Sequence, residues 1–139
     1  MTVAVAHQAN KAGAAVLSAA VEEASLRGVP LAVIYAVTTA DLDDKAALRQ
    51  GIGELVHEAA SNMHIADVEW ELHLAGADSD SIEDTAYAIL AEVAAVGADL
   101  LVLGARRRSP VGKAILGSIT QEILLDVAVP VLVVKAPGT

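Results

Sequence analysis

Apolar residues in this chain fall into five short runs that alternate with longer stretches of helical periodicity. The runs predict β-strands near residues 3–7, 31–37, 68–74, 100–103 and 131–135. Between them, apolar residues recur at the three- and four-residue spacing of a helix that covers a sheet with one face. Gly28, followed by Pro30, is predicted to end the first of these helices, and Gly97 the third. We therefore expect a single α/β domain over residues 1–139, with a doubly wound, five-stranded parallel sheet and helices on both faces.

Two of the predicted strands carry information about their place in the sheet. Residues 68–74 alternate apolar and polar, which is typical of an edge strand with one exposed face. The last run is apolar throughout although it comes last in the chain, so either it lies inside the sheet or another subunit covers it. We expect a homodimer formed through Val131, Leu132, Val133 and Val134.

Composition limits the class of protein. Hydrophobic residues make up 55% of the chain and charged residues 19%, which suits a globular core, and no apolar run reaches the ~18 residues that a membrane span needs. The chain has no cysteine, and its first ten residues lack the pattern of a signal peptide. We expect a cytoplasmic protein without disulfides, thiol chemistry or a metal site.

The charge distribution points to one segment. The net charge of −9 argues against nucleic-acid binding, yet four of the nine basic residues fall within eight positions: Arg106, Arg107, Arg108 and Lys113. This basic run follows the fourth predicted strand, at the end where doubly wound sheets bind ligands. It predicts an anion site, although a solvated loop that keeps an acidic protein soluble, or a protein-docking patch, would have the same composition.

A helix start follows the basic run. Ser118 and Gln121 have the spacing of a capping box, which predicts that the last helix begins at Gly117 and Ser118. Free N–H groups at such a start attract phosphate, and Gly117 would let the backbone approach it. A helix can also begin with this pair and bind nothing.

The spacing of these residues resembles the nucleotide-binding pattern of the universal stress protein family. That pattern is Gly, two residues, Gly, nine residues, Gly, then Ser or Thr, and Gly104, Gly117 and Ser118 fit it, whereas its second glycine is replaced by Arg107. The turn at residues 97–99 and the closing run at 129–134 are also similar. The resemblance implies a Rossmann-like, adenine nucleotide alpha hydrolase-like fold that binds ATP or another adenine nucleotide in the stress response.

The family's other ligand contacts can be placed on this sequence residue by residue. The aspartate that follows the first strand in ATP-binding members aligns with Gln8, which can hydrogen-bond a base but brings no charge. A second contact falls near Ala36. The full set of positions that the resemblance implies is Gln8, Ala36, Leu103, Gly104, Arg107, Gly117, Ser118 and Ile119.

Other chemistries fit less well. Gly112 and Lys113 look like half of a P-loop, but Arg107 and Ala114 occupy positions where that loop needs glycine and a hydroxyl. The acidic residues at 41, 43 and 44 lack the rest of a calcium loop, and the histidines at 7, 57, 64 and 73 are expected at the surface. No nucleophile has a base beside it, so we expect binding without catalysis, with slow ATP hydrolysis left open. The alternative is a nucleotide-free dimeric interaction protein of the same fold.

Overall fold

Strands and helices alternate along the chain in the computed structural model, which describes residues 1–8, 10–38, 44–108 and 113–136. The described elements are β1 (Val3–Ala6), α1 (Lys11–Arg27), β2 (Leu31–Val37), α2 (Lys45–Asn62), β3 (Trp70–Gly76), α3 (Ile82–Ala95), β4 (Leu100–Arg108), β5 (Lys113–Ile115), α4 (Ser118–Asp126) and β6 (Val131–Ala136). None of these helices is both long enough and apolar enough to span a bilayer.

The sheet has five parallel strands in the order β3-β2-β1-β4-β6, and β5 pairs antiparallel with the far end of β4. This confirms the doubly wound architecture and the edge position of β3. Within the described residues β6 pairs only with β4, so of the two alternatives that the sequence left open for this strand, a place inside the sheet of one chain does not hold. The chain moves outward from β1 through β2 to β3, then crosses back to β4 on the other side of β1. The order of the strands therefore reverses between β1 and β4, and this boundary is the switch point of the sheet.

Two apolar layers cover the two faces of the sheet. Val3 and Val5 of β1 pack with α1 and α2, whereas Ala4 packs with α3 and α4. The same division holds in β4, where Val102 lies in the first layer and Leu101 in the second. Because successive side chains of a strand point to opposite faces, a short apolar run serves both layers at once.

The strand ends differ from the sequence prediction in places that matter for the site. β1 stops at Ala6, one residue earlier than expected, and β3 is shifted two residues toward the C-terminus. β4 continues through Arg108, so the basic run expected as a loop belongs partly to a strand. The apolar pattern does not predict this extension, because its last three residues are arginines. They belong to a strand only through the pairing of their backbone with β5.

Three helices end in the same backbone arrangement. Gly28 and Gly97, which the sequence predicts as helix stops, follow α1 and α3 with φ of 64° each, and His64 follows α2 with φ of 56°. In each case the next N–H reaches back five residues, as from Ile65 to the carbonyl of Ala60. This is the Schellman motif, in which the left-handed position suits glycine.

We expect His64→Gly to raise the free energy of unfolding by about 1 kcal/mol, because a Cβ is unfavourable in the left-handed conformation that His64 adopts. Urea denaturation compares this variant with His64→Ala, which keeps a Cβ and removes the imidazole. Equal stability of the two variants would show that the left-handed conformation carries no such penalty here.

Candidate functional site

The first strand stops short of its neighbours at the carboxyl end of the sheet. The last pairs of β1 are Ala6 with Ile34 of β2 and Val5 with Val102 of β4, while β2 and β4 both run further. Beyond these pairs, β2 and β4 continue without a β1 residue paired to either of them, and this stretch lies at the switch point. We call it the β1 notch; it is flanked by Ala36 and Gly104, and the chain leaves β1 there through His7 and Gln8.

Ala36 lies beside the notch with backbone groups turned toward it. The carbonyl of Ile34 accepts from the N–H of His7 at 2.9 Å on the β1 side, and that of Val37 accepts from Ala77 at 2.8 Å on the β3 side. Since successive strand residues alternate between the two sides, Ala36 shares the side of Ile34, past the last residue of β1. An alanine can thus offer one donor and one acceptor at this edge.

Gly104 lies on the other flank of the notch, where β4 passes close to α1. A Cβ built on Gly104 would stand 2.6 Å from Cγ2 of Val16, well inside van der Waals contact. A side chain at this position would press against Val16 of α1, so the packing of α1 on β4 favours glycine here whether or not a ligand binds. Gly104 is thus both the first glycine of the nucleotide-binding spacing described above and a position where α1 packs closely on β4.

The start of α4 differs from that of the other helices. Side chains of Asn10, Asp44 and Ser81 cap α1, α2 and α3, whereas Gly117 caps α4 without a side-chain hydrogen bond. The predicted capping box is wrong: Ser118 is the first helical residue, and Gln121 instead donates through Nε2 to the carbonyl of Leu116 at 2.9 Å. Among the described residues, no side chain accepts a hydrogen bond from the first N–H groups of α4.

The space next to Gly117 is open. A Cβ built there would meet no atom within 4 Å, and the φ of −65° is one that any residue adopts. Unlike Gly104, Gly117 is therefore not demanded by the fold. A glycine that packing does not require, at an uncapped helix start, is consistent with a backbone that a ligand approaches.

The residues expected at the site occupy different environments. Gln8, Gly117 and Ser118 are exposed, and Ala36, Gly104 and Ile119 are partly buried. Leu103 is buried in the layer under α3 and α4, so only its backbone is available to a ligand. Arg107 lies opposite Ala114 in the β4–β5 ladder, and its side chain falls outside the described part of the structure, as do residues 41, 43 and 112.

The sequence reasoning missed His7. It was expected at the surface, but only 6% of it is exposed, and its Nδ1 has no hydrogen-bond partner among the described residues. The ring lies 6.2 Å from that of Tyr35, and burial lowers the pKa of the imidazole. A signal was present: Val3, Val5 and His7 alternate along β1, which places His7 on the face that α1 and α2 cover.

Stability is expected to fall as the pH drops below the ordinary histidine value of about 6.5. Because burial depresses the pKa of His7 in the folded state, the unfolded chain binds a proton first, and protonation favours unfolding. The stabilisation is complete above pH 6.5 and is lost below it, by at most about 1.4 kcal/mol per pH unit. Urea midpoints at pH 7.5 and 5.5 should differ more for the wild-type protein than for His7→Gln; equal differences would contradict this expectation.

Gly13 was also missed, and it fixes the loop that leaves the notch. Its N–H donates to Oδ1 of Asn10 at 2.7 Å, and a Cβ at this position would overlap the carbonyl oxygen of Gln8. The first turn of α1 therefore lies directly against the backbone of residue 8. This contact holds Gln8 where β1 ends.

The described side chains include no group of three or more histidines and carboxylates that could hold a metal ion. His57 pairs with Asp67, with Nδ1 3.2 Å from each carboxylate oxygen, on an exposed surface. Asp44 accepts from the N–H of Ala47 at the start of α2. These residues thus have structural partners of their own.

The five parallel strands with helices on both faces define a doubly wound protein of the Rossmann-like, adenine nucleotide alpha hydrolase-like fold. The model of the universal stress protein family matches residues 1–135, and the chain belongs to that family.

Individual relatives agree with this assignment over almost the whole chain. A universal stress protein of Mycolicibacterium smegmatis is 34% identical over 134 residues, 96% of this chain and 97% of that protein. The structure of a universal stress protein from Archaeoglobus fulgidus has 32% identity and a TM-score of 0.62, covering 96% of both chains. A universal stress protein structure from the same organism in complex with dAMP has 27% identity and a TM-score of 0.59, covering 96% of this chain and 95% of that one.

Proposed function

We propose that this protein is a nucleotide-binding module of the stress response, which binds ATP or another adenine nucleotide without catalysing a reaction. One observation carries the proposal: the notch left by the early end of β1 and the uncapped start of α4 both belong to the carboxyl end of the sheet. Doubly wound proteins bind ligands at this end, at the switch point. The relative solved in complex with dAMP supports an adenine nucleotide as the ligand class.

Each residue of the proposed site has a separate role. Gln8 and the backbone of Ala36 contact the base, and the backbones of Leu103 and Gly104 line the β4 side of the notch. Gly117, Ser118 and Ile119 present N–H groups to phosphate at the positive end of α4, where the Ser118 hydroxyl adds a donor. Arg107 supplies a guanidinium in place of the family's glycine.

Native mass spectrometry of the purified protein tests for a co-purified nucleotide, and thermal denaturation with millimolar ATP tests for binding. We expect ATP to raise the melting temperature, since a ligand that binds only the folded state stabilises it by mass action. We expect no inorganic phosphate release above the rate without protein. Absence of any shift at millimolar ATP would favour the nucleotide-free interaction protein instead.

We further propose that the protein acts in the cytoplasm as a homodimer through β6. This strand has one free edge in the described structure, and Val133 is 37% exposed. The opposite edge, β3, carries the exposed Glu71, and Glu69 precedes it. Charges of this kind discourage pairing between sheet edges, so the two edges differ and β6 is the one suited to a second copy.

Light scattering at micromolar concentration should therefore give the mass of a dimer. Val133→Glu should give a monomer, because it places a carboxylate on the apolar strand that two copies would share. Val133→Thr, which has a similar shape, serves as the control and should remain dimeric. A wild-type monomer would refute the proposal, as would a dimer that persists in Val133→Glu.

A further inference from the structure

Gln8 lies where the chain leaves β1, and Asn10 holds it at two points. The N–H of Asn10 donates to the backbone carbonyl of Gln8 at 2.9 Å, and Nδ2 of Asn10 donates to Oε1 of Gln8 at 3.5 Å. The first contact fixes the backbone of residue 8, and the second orients its side-chain amide. The exposed side chain of Gln8 therefore has a partner that sets the direction of its amide group.

Asn10 is in turn fixed by the start of α1. Its Oδ1 accepts from the N–H of Gly13 at 2.7 Å, and its backbone carbonyl accepts from the N–H of Ala14 at 3.1 Å. The oxygen of a side-chain amide accepts hydrogen bonds and its nitrogen donates them, whereas a backbone N–H can only donate. The N–H of Gly13 thus decides which end of the Asn10 amide is the oxygen, and the nitrogen is the end that meets Gln8.

The polarity of the Gln8 amide follows from that of Asn10. Because Nδ2 of Asn10 can only donate, the atom of Gln8 that it meets is the oxygen, and the N–H donors of Nε2 remain. No acceptor for Nε2 lies among the described residues. Gln8 therefore offers donors to a ligand, while its acceptor is already engaged by the protein.

The backbone of Ala36 complements these donors on the β2 side of the β1 notch. It offers one donor and one acceptor, since Ala36 shares the side of Ile34 beyond the last residue of β1. Adenine carries a single amino donor and several ring-nitrogen acceptors. Ala36 can pair with the amino group and one ring nitrogen, and a second ring nitrogen then requires a donor. Gln8 has the polarity that this second nitrogen needs.

We infer that Gln8 recognises the base by donating from Nε2 to a ring nitrogen, and that Asn10 is the positioning residue that holds the Gln8 amide in this orientation. The inference rests on the proposed function and specifies how that site recognises its base. A carboxylate at position 8 would offer acceptors alone, so it would face the ring nitrogen with a second lone pair. One neutral hydrogen bond of this kind contributes about fivefold in affinity.

Isothermal titration calorimetry tests the donor with ATP and with the deaza analogues in which C–H replaces N1, N3 or N7. We expect an analogue that lacks the nitrogen bound by Gln8 to bind the wild-type protein about fivefold more weakly than ATP. In Gln8→Glu, which exchanges the donor for an acceptor, that analogue should bind as ATP does. Gln50→Glu is the matched control, because it makes the same change at an exposed glutamine of α2 and should keep the wild-type difference.

Asn10→Asp separates the positioning of Gln8 from the capping of α1. Aspartate caps a helix as well as asparagine does, so the melting temperature without ligand should stay close to that of the wild type. Its second oxygen would accept from Gln8 and turn the oxygen of the Gln8 amide outward, so the difference between ATP and the analogue should disappear. The added carboxylate weakens both ligands alike, because they carry the same charges, and their ratio reports the amide alone.

The outcomes distinguish this inference from the proposed function. Equal binding of ATP and all of the deaza analogues by the wild-type protein would overturn the donor role of Gln8 and leave nucleotide binding intact. The same conclusion would follow if Gln8→Glu kept the wild-type difference. A difference that is lost in Gln8→Glu but kept in Asn10→Asp would overturn the positioning role of Asn10. Absence of binding by every nucleotide would overturn the proposed function and this inference together.

Discussion

Replacement of Gly13 by alanine is expected to lower the free energy of unfolding by about 3 kcal/mol or more. The added methyl group would overlap the carbonyl oxygen of Gln8, which belongs to the backbone and cannot move aside as a flexible side chain can. Relief requires a shift of α1, whose residues Val16, Leu17 and Ala20 are buried against the sheet. Urea denaturation measures the loss.

Gly51→Ala is the matched control, since Gly51 is an exposed helical glycine in α2 with no atom within 4 Å of an added Cβ. Alanine there should stabilise the protein by about 0.5–1 kcal/mol through helix propensity. The two identical substitutions should therefore change stability in opposite directions. If Gly13→Ala were as stable as the wild type, the close approach of α1 to residue 8 would be wrong.

Replacement of Gly117 by valine is expected to abolish the rise in melting temperature that we predict for the wild-type protein with ATP. For the wild type, ligand at a hundred times its Kd stabilises the fold by about 2.7 kcal/mol, and the variant should show none of this increase. The branched side chain would occupy the open space beside Gly117, where the phosphates of the proposed ligand lie. Differential scanning fluorimetry with and without ATP measures both effects.

Gly117→Ala controls for the loss of glycine at the start of α4. Both substitutions replace the N-cap residue of α4, at a similar cost of about 1 kcal/mol without ligand, but alanine leaves most of the space open. The alanine variant should retain part of the ATP response. A full response in Gly117→Val would place the ligand elsewhere and exclude the start of α4 from the site.

Local patterns in the sequence were sufficient for much of the fold. The alternation of residues 68–74 predicted the edge strand β3, and glycines at 28 and 97 predicted where α1 and α3 end. Such features depend on neighbours within a few positions, so they can be read from period and composition. The same holds for the start of α4 at Gly117 and Ser118, although not for the way in which it is capped.

Features that depend on pairing between distant segments were not predictable in this way. Whether β1 ends at Ala6 or continues is decided by its ladders to β2 and β4, and the strand character of Arg106–Arg108 is decided by β5. Whether His7 is buried is likewise decided by segments elsewhere in the chain, such as Tyr35 of β2, whose ring centroid lies 6.2 Å from that of His7.

The sequence by itself determined the class of fold, the order of its five parallel strands and the family to which the chain belongs, because hydrophobic period and motif spacing are local properties. Only the tertiary structure decided that β1 stops short, that a Cβ at Gly104 would meet Val16 whereas one at Gly117 would meet no described neighbour, and that the backbone of Arg106–Arg108 pairs with β5. These are outcomes of register and packing between segments far apart in the chain, where one residue of difference moves a side chain to the other face of the sheet.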